Sequence, residues 1–272
     1  MYPFSDMQIG YVQKLHKKLR FIVFFTILQY LCAFFKVIAK KNLLFNIKSK
    51  KGYYPQAWCI RYGMLLSPLF YQCLHIPYTQ VGVTANFALQ RKGRTLYIYF
   101  QASDGKNDWK NNLDFPAKPY KRMGKTVWFA HRGFLKVWKE IEPYLIQEIA
   151  DTHYQSFVVV GYSHGAAIAA LCHEYIWYNR PDAREDLLGY GFGSPRVLWG
   201  ICHKAVKNRW ARYTVIRNEN DLITHLPPAF LGFSHVGSML KIGKKGNYSP
   251  VQAHYPENIM TELIQREKDQ TL

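Results

Sequence analysis

The chain has 272 residues, 49% of them hydrophobic, and 36 Lys and Arg against 18 Asp and Glu give it a formal net charge of +18. This apolar content can bury a sizeable core, which excludes an intrinsically disordered chain. The basic excess indicates either a solvated, solubilising surface or contact with something anionic, for which an anionic membrane surface is the first choice. The basic residues are scattered and form no recognised nucleic-acid motif, so we expect no specific nucleic-acid partner.

The cysteines and histidines give no sign of a metal or disulfide framework. The five cysteines are an odd number, are widely spaced and form no C-x-x-C pair, and the sequence contains no H-E-x-x-H. We therefore expect neither a metal nor an organic cofactor, and a reducing compartment is the simplest environment.

Residues 1–52 are predicted to form a basic and apolar extension, and residues 53–272 a catalytic domain. Within the extension, residues 21–39 form an apolar run close to the roughly 20 residues that span a bilayer. A membrane anchor or interfacial helix and a helix packed on the catalytic domain both remain open. A cleaved signal peptide is not recognised, because Lys40 and Lys41 follow the run where a small-residue cleavage site would be needed. The expected location is membrane-associated or cytoplasmic.

The first part of the domain alternates between strand and helix patterns. Residues 83–89 and 94–100 alternate apolar and polar side chains, which predicts a β-hairpin. The polar residues 103–125 predict a loop. Residues 132–150 place apolar side chains at helical spacing, with Pro143 as a candidate kink.

The second part continues the alternation. Residues 157–160 are a short β-branched run typical of a strand buried on both faces, and residues 164–178 predict a helix. Residues 187–192 and 212–217 predict further strands, with a helix near 197–208 between them. This order predicts an α/β fold with a mostly parallel sheet covered by helices.

The strongest chemical signal is a G-x-S-x-G sequence between the apolar strand and the helix, formed by residues 161–165. In a nucleophile elbow the serine, here Ser163, projects its hydroxyl from a strained turn. Gly161 and Gly165 meet the demand for small residues on either side of that turn. The backbone N–H of His164, at the start of the helix, is a candidate oxyanion donor.

A serine nucleophile needs a base and an orienting acid, which in this fold follow in the order Ser, Asp or Glu, His. The best acid is Asp221, directly after an apolar strand, with Glu219 as the substitute. His254, in a loop near the C-terminus, is the preferred base. His225 precedes a Leu-Pro-Pro turn, and His235 is predicted to be a core or hydrogen-bonded histidine.

Five segments together resemble the class 3 lipase family, which includes the fungal triacylglycerol lipases and plant phospholipase A1 relatives. The segments are residues 131–134 (HRGF), 161–167 (GYSHGAA), 192–196 (FGSPR), 220–228 (NDLITHLPP) and 233–237 (FSHVG). The likeness extends over residues 83–259 and implies an α/β-hydrolase fold. It also implies Ser163, Asp221 and His254 as the catalytic triad, and a non-catalytic role for His235.

Two segments depart from the family pattern. The oxyanion segment, usually F-R-G-[TS], is FQAS at residues 100–103, where the resemblance implies that Ser103 completes the oxyanion hole with His164. The lid region, residues 104–120, is polar, which argues against strong activation at oil surfaces and favours a polar-headed lipid or a soluble ester.

The sequence thus predicts a serine carboxylic-ester hydrolase of the lipase, phospholipase or esterase type that cleaves acyl esters through an acyl-enzyme. Its expected partners are a lipid or other acyl-ester substrate and an anionic membrane surface. The alternative is a catalytically weak or silent hydrolase fold that acts as a membrane-associated interaction module, supported by the altered residues 101–102. A thioesterase or acyltransferase would use the same triad, and a basic nucleic-acid-binding protein is a more distant alternative.

Overall fold

A seven-stranded sheet forms the centre of the described part of the chain. The computed structural model describes residues 65–81, 85–102, 114, 117–122, 125–200 and 204–271. The predicted extension at residues 1–52, Ser103 and most of the predicted lid lie outside these residues. The predictions made for them therefore stay predictions.

Eleven strands and five helices carry the described architecture. The strands are β1 (Thr79–Val81), β2 (Ala85–Lys92), β3 (Thr95–Phe100), β4 (Ala117–Arg122), β5 (Lys125–His131), β6 (Ser156–Tyr162), β7 (Leu187–Phe192), β8 (Leu198–Trp199), β9 (Tyr213–Asn218), β10 (Phe233–Ser234) and β11 (Ser238–Ile242). The helices are α1 (Leu66–His75), α2 (Arg132–Ala150), α3 (His164–Asn179), α4 (Lys204–Lys207) and α5 (Pro256–Thr271). Short 3₁₀ turns connect several of them.

The large sheet has the strand order β1-β2-β3-β6-β7-β9-β11. The β1–β2 and β2–β3 pairs are antiparallel, and the four remaining pairs are parallel. The predicted hairpin is confirmed as β2 and β3, which turn at Gly93. The prediction of a mostly parallel α/β sheet is confirmed as well.

Helices cover both faces of this sheet. On one face, α2 and α3 pack against side chains that include Leu96, Phe157 and Val159. On the other face, α1 and α5 pack against side chains that include Val158 and Val160. Alternate residues of β6 thus enter opposite cores, which explains why this strand is apolar almost throughout.

A second, four-stranded sheet has the order β10-β8-β5-β4 and is antiparallel. The prediction that all of residues 103–125 form a loop is wrong for β4. Tyr120 is the inward-facing anchor of this strand, because it is buried and its ring lies 4.5 Å from that of Trp128 on β5. One buried aromatic residue in a polar segment leaves too weak a periodicity to detect.

The prediction of a helix near residues 197–208 is confirmed for α4 and wrong for the start of the range. Leu198 and Trp199 form β8, which pairs with both β5 and β10. The apolar side chains here are buried by distant partners: the indole of Trp210 is buried and donates to the carbonyl of Ala170, 2.8 Å away.

The remaining predicted elements are close to those in the structure. The helix α2 continues through Pro143 to Ala150, with the proline ring on its exposed side, and α3 and β7 begin where predicted. None of the helices in the described ranges has the length and hydropathy needed to cross a bilayer.

Candidate active site

The turn between β6 and α3 has the strained geometry of a nucleophile elbow. Ser163 has φ 55° and ψ −120°, and it is the one non-glycine residue with positive φ among those described. Such a conformation is costly for an L-residue and persists only when the surroundings fix it. Here the N–H of Ser163 donates a hydrogen bond of 2.8 Å to the carbonyl of Phe192 at the end of β7.

Both flanking glycines are required by close contacts between backbone segments. A Cβ on Gly161 would lie 2.2 Å from the carbonyl oxygen of Gly165. A Cβ on Gly165 would lie 2.2 Å from the carbonyl oxygen of Phe100 and 2.4 Å from that of Gln101. The missing side chains therefore let the end of β3 approach the start of α3.

The structure brings the three predicted triad residues together in one chain of hydrogen bonds. His254 Nε2 lies 2.8 Å from Ser163 Oγ, and His254 Nδ1 lies 2.8 Å from Asp221 Oδ2. Asp221 is fully buried, and its second oxygen accepts the N–H of Ile223 at 2.9 Å. Because Nδ1 donates to the carboxylate, Nε2 carries the lone pair that can accept the serine proton.

Two side chains hold the loop that carries His254. The Tyr162 hydroxyl donates to the carbonyl of His254 at 2.5 Å, and its ring stacks on the imidazole with centroids 5.2 Å apart. The Asn218 amide donates to the preceding carbonyl, that of Ala253, at 3.1 Å. Burial, followed by the charges of Asp221 and Glu257, raises the pKa of Tyr162, so its phenol stays protonated as a donor. Sequence reasoning did not identify either residue.

The backbone of Gly193 packs closely against the imidazole of His254. It has φ 57°, and a Cβ there would lie 2.8 Å from His254 Cε1 and 3.0 Å from Asp221 Oδ2. Gly193 belongs to the FGSPR segment noted in the sequence, but that pattern does not reveal which group the glycine faces. Its role follows from the folded geometry.

The alternative bases and acid lie elsewhere. His235 Nε2 lies 2.8 Å from the carbonyl of Thr224, which agrees with the prediction of a core or hydrogen-bonded histidine. Burial lowers the pKa of His235 to about 4. The pKa of His225 is lowered by burial and then by nearby guanidinium groups. Glu219 is not the carboxylate at the imidazole, since Asp221 occupies that place.

His164 begins α3, where the first N–H groups of a helix have no intrahelical acceptor. Its imidazole is buried edge-on against Phe134, with centroids 5.4 Å apart. Burial, followed by the charge of His131, lowers the His164 pKa to about 3, which makes this ring a neutral packing group. Ser103 lies outside the described residues, but the contact of Gly165 with Phe100 and Gln101 brings the segment leading to it beside the elbow.

The described part of the chain contains no group of three His, Cys, Asp or Glu side chains arranged to hold a metal ion. The site geometry instead provides a hydroxyl, an imidazole and a carboxylate in series. This arrangement suits nucleophilic acyl transfer.

Comparison with known proteins agrees with this geometry. The profile of the family described as "Lipase (class 3)" matches residues 97–231. A lipase from Rhizomucor miehei is 33% identical over 150 residues, which are 53% of this chain and 40% of that protein. A lipase from Rhizopus oryzae is 24% identical over 160 residues, 56% of this chain and 40% of that protein.

Solved structures show the same fold. A fungal lipase in complex with an inhibitor superposes with a TM-score of 0.55 and 26% identity, covering 68% of this chain and 82% of that one. A triacylglycerol lipase described as having a serine protease triad as its catalytic centre gives a TM-score of 0.50 and 27% identity, covering 62% of this chain and 66% of that one.

The chain spans less than half the length of the curated relatives it matches. The matched region nevertheless contains the elbow, both glycine-dependent contacts and the acid residue, within an α/β-hydrolase sheet. Residues 97–231 therefore belong to the class 3 lipase family.

Proposed function

We propose that this protein is a serine carboxylic-ester hydrolase that cleaves acyl esters of lipids. The observation that carries the proposal is the single imidazole bonded to both Ser163 Oγ and Asp221, each at 2.8 Å. A hydroxyl on a strained turn, opposite a base already oriented by a buried carboxylate, is a competent acyl acceptor.

The proposed reaction has two halves. His254 Nε2 takes the proton of Ser163 as its oxygen attacks the ester carbon, and the N–H groups of His164 and Ser103 stabilise the resulting oxyanion. The imidazolium returns the proton to the departing alkoxide, which leaves as an alcohol. Water then attacks the acyl-enzyme with His254 again as base, and release of the carboxylic acid restores the serine. This chemistry needs no metal or organic cofactor.

The substrate class is a lipid ester, since the relatives with matching sequence are lipases. The polar composition of residues 104–120 favours a polar-headed lipid, and the net charge of +18 favours an anionic phospholipid or glycerolipid. These features also support a membrane-associated location. A rate jump above the critical micelle concentration of the substrate would contradict the preference for a polar-headed lipid.

A fluorophosphonate probe tests the nucleophile directly. The wild-type protein should be labelled, and Ser163→Ala should not, while Ser238→Ala on the edge strand β11 should label like wild type. A series of p-nitrophenyl esters and a phospholipid panel would then rank acyl chains and head groups. Labelling that persists in Ser163→Ala would refute the proposal.

The second candidate function is a silent hydrolase fold that serves as a membrane-associated interaction module. It draws on Gln101 and Ala102, which replace the usual residues of the oxyanion segment. Removing one oxyanion donor costs about 10²–10³ in turnover, so an altered hole could silence the site. A folded wild-type protein that neither labels nor hydrolyses any ester would favour this function.

A further inference from the structure

Basic side chains meet at the carboxyl ends of three parallel strands of the large sheet. Arg196 follows β7, Arg217 lies near the end of β9 and Lys241 near the end of β11. His225 ends the 3₁₀ turn Ile223–His225, which follows β9. We call these four residues the cationic cluster. In open α/β sheets, ligands commonly bind at this end of the strands.

The sheet itself makes two of these cations direct neighbours. Arg217 and Lys241 are register partners in the parallel pair of β9 and β11, so their side chains leave the sheet on the same face. Neighbouring strands lie about 4.8 Å apart, which places both side chains within reach of one anion. Val215, two residues before Arg217, is buried in the core beneath α2 and α3. The two cations therefore lie on the side of the sheet that these helices cover.

Hydrogen bonds and charge interactions place the other two members beside them. The guanidinium of Arg196 donates to the carbonyl of His225 and, at 2.8 Å, to that of Pro227. Burial, followed by the charge of Arg217, lowers the pKa of Arg196. Burial, followed by the charges of Arg217 and Arg196, lowers the pKa of His225, and Lys241 acts in the same direction. The four side chains are thus close enough to repel one another.

No carboxylate in the described part of the chain forms an ion pair with the cationic cluster. Elsewhere in the fold, the largely buried Arg180 and Arg209 pair with Asp182 and Glu174. Like charges held together without a counter-charge oppose folding. The arrangement of the cluster is therefore better explained by an anion that binds to it.

Arg217 adds a second observation, because its hydrogen-bond donors are unused. Its Nε–H is buried and has no partner, and no described residue accepts a hydrogen bond from the rest of the guanidinium. Glu219, just beyond the end of β9, forms no ion pair within the described ranges, and Asp221 is bonded to His254. Buried donors in folded proteins are almost always hydrogen-bonded. An acceptor brought by a ligand would satisfy this one.

We propose that the cationic cluster binds a phosphate group. A phosphate is anionic and offers several acceptor oxygens, which match the forked donors of Arg217 and the ammonium group of Lys241. The phosphate is either part of a lipid head group or a free ion, and both would use the same contacts. The head-group case rests on the proposed function, whereas binding of the free ion requires neither the triad nor turnover.

Isothermal titration calorimetry of the full chain with inorganic phosphate, at constant ionic strength, tests the site. The wild-type protein should bind phosphate, and Arg217→Gln and Lys241→Gln should each raise the Kd by about 10-fold, because each removes a charge-assisted hydrogen bond. The matched control is Arg212→Gln. Arg212 precedes β9 at its opposite end and pairs with Glu185, so this variant should bind phosphate as the wild type does.

Thermal melts separate loss of the site from unfolding. Without phosphate, Arg217→Gln should be at least as stable as the wild type, because it removes one of several like charges. Added phosphate should raise the Tm of the wild type and raise that of the two cluster variants much less. Lys241→Gln changes an exposed side chain and keeps the test valid even if Arg217→Gln does not fold.

Two soluble short-chain lipids identify the source of the phosphate. Dihexanoylphosphatidic acid and dihexanoylglycerol carry the same esters and differ in the phosphate. If the phosphate belongs to a head group, Lys241→Gln should lower the ratio of kcat/KM for the first lipid to that for the second by about 10-fold. If it is a free ion, this ratio should stay as in the wild type while phosphate binding is lost.

Each outcome bears on one proposal. A wild type that binds no inorganic phosphate, or cluster variants that bind it as well as the wild type does, would overturn the phosphate site. Binding that Arg212→Gln weakens equally would show a general effect of surface charge and would also overturn it. Phosphate binding without hydrolysis of either lipid would instead refute the proposed function and leave the phosphate site intact.

Discussion

Gly193 illustrates how a single residue sets the position of the proposed base. With φ 57° and His254 Cε1 only 2.8 Å from where its Cβ would be, it leaves room for the imidazole beside the backbone. Any side chain at this position would push the imidazole away from Ser163 or Asp221. An ångström-scale misplacement of a catalytic group costs about 10²-fold in rate.

We expect Gly193→Ala to reduce kcat/KM on a p-nitrophenyl ester by about 10²-fold, because the new methyl group displaces the imidazole. The control is Gly93→Ala, which has a similar φ of 56° and no atom within 4 Å of the added Cβ. Gly93→Ala should lose about 1 kcal/mol of stability from backbone strain and keep its activity. Equal activity in the two variants would contradict the argument that a methyl group at Gly193 displaces His254.

The sequence identified the triad candidates because strand ends and chain order restrict where an acid and a base can lie. Ser163, Asp221 and His254 were predicted in this way, and the structure places them in hydrogen-bonding contact. The contributions of Tyr162 and Asn218 could not be predicted. Each donates to the backbone of a residue at least 35 positions away, and no local pattern encodes such a target.

At the level of elements, one buried arginine connects the ends of both helices on the same face of the sheet. Arg180 follows α3, and its guanidinium donates to the carbonyls of Ile149 at 2.6 Å, Asp151 at 3.0 Å and Tyr154 at 2.7 Å. It also pairs with Asp182 at 2.7 Å. The same side chain thus terminates α2, fixes the turn into β6 and anchors the end of α3.

Arg180→Met should destabilise the fold by about 3 kcal/mol, because it leaves several carbonyls near the core without their donor. Asp182→Ala removes only the ion-pair partner, whose side chain is mostly exposed, and should cost less than about 1 kcal/mol. Urea unfolding of both variants provides the measurement. A loss in Asp182→Ala as large as that in Arg180→Met would assign the stabilisation to the ion pair.

The elements that the sequence predicted well are those with long, regular patterns. The helix α2 and the strand β7 have the predicted bounds, since their apolar spacing extends over the whole element. The two-residue strand β8 was not predicted. It is held by pairing with β5 and β10, which joins distant parts of the chain.

For the whole molecule, three histidines link stability to pH; His164 and His173 are buried and His235 is partly buried. Burial lowers the pKa of His164 and of His173 to about 3 and that of His235 to about 4. In the unfolded chain a histidine has a pKa of about 6.5, so below that pH the unfolded state binds protons that the folded state does not. The stability that depends on these histidines being neutral is therefore fully present above pH 6.5 and decreases as the pH falls.

His173 lies away from the proposed triad and allows a clean test. Between pH 6 and pH 4, the free energy of unfolding of the wild type should fall relative to that of His173→Gln by about 1.4 kcal/mol per pH unit. The reason is that the variant has no histidine at this position to take up a proton on unfolding. Above pH 7 the difference between the two free energies of unfolding should be constant. Denaturant titrations at several pH values measure it, and a difference that does not vary with pH would contradict the burial argument.

The hydrogen bond from Tyr162 to the backbone of His254 has a consequence for the freedom of the chain between them. Ser163 and His254 are 91 residues apart in sequence, yet Tyr162, which precedes the serine, is hydrogen-bonded directly to the backbone of His254. This hydrogen bond fixes the distance between Ser163 and His254. Small shifts in the intervening chain are therefore not passed on to the reacting atoms. The exposed turn at residues 244–247 can consequently change in length or composition without altering how serine and imidazole meet.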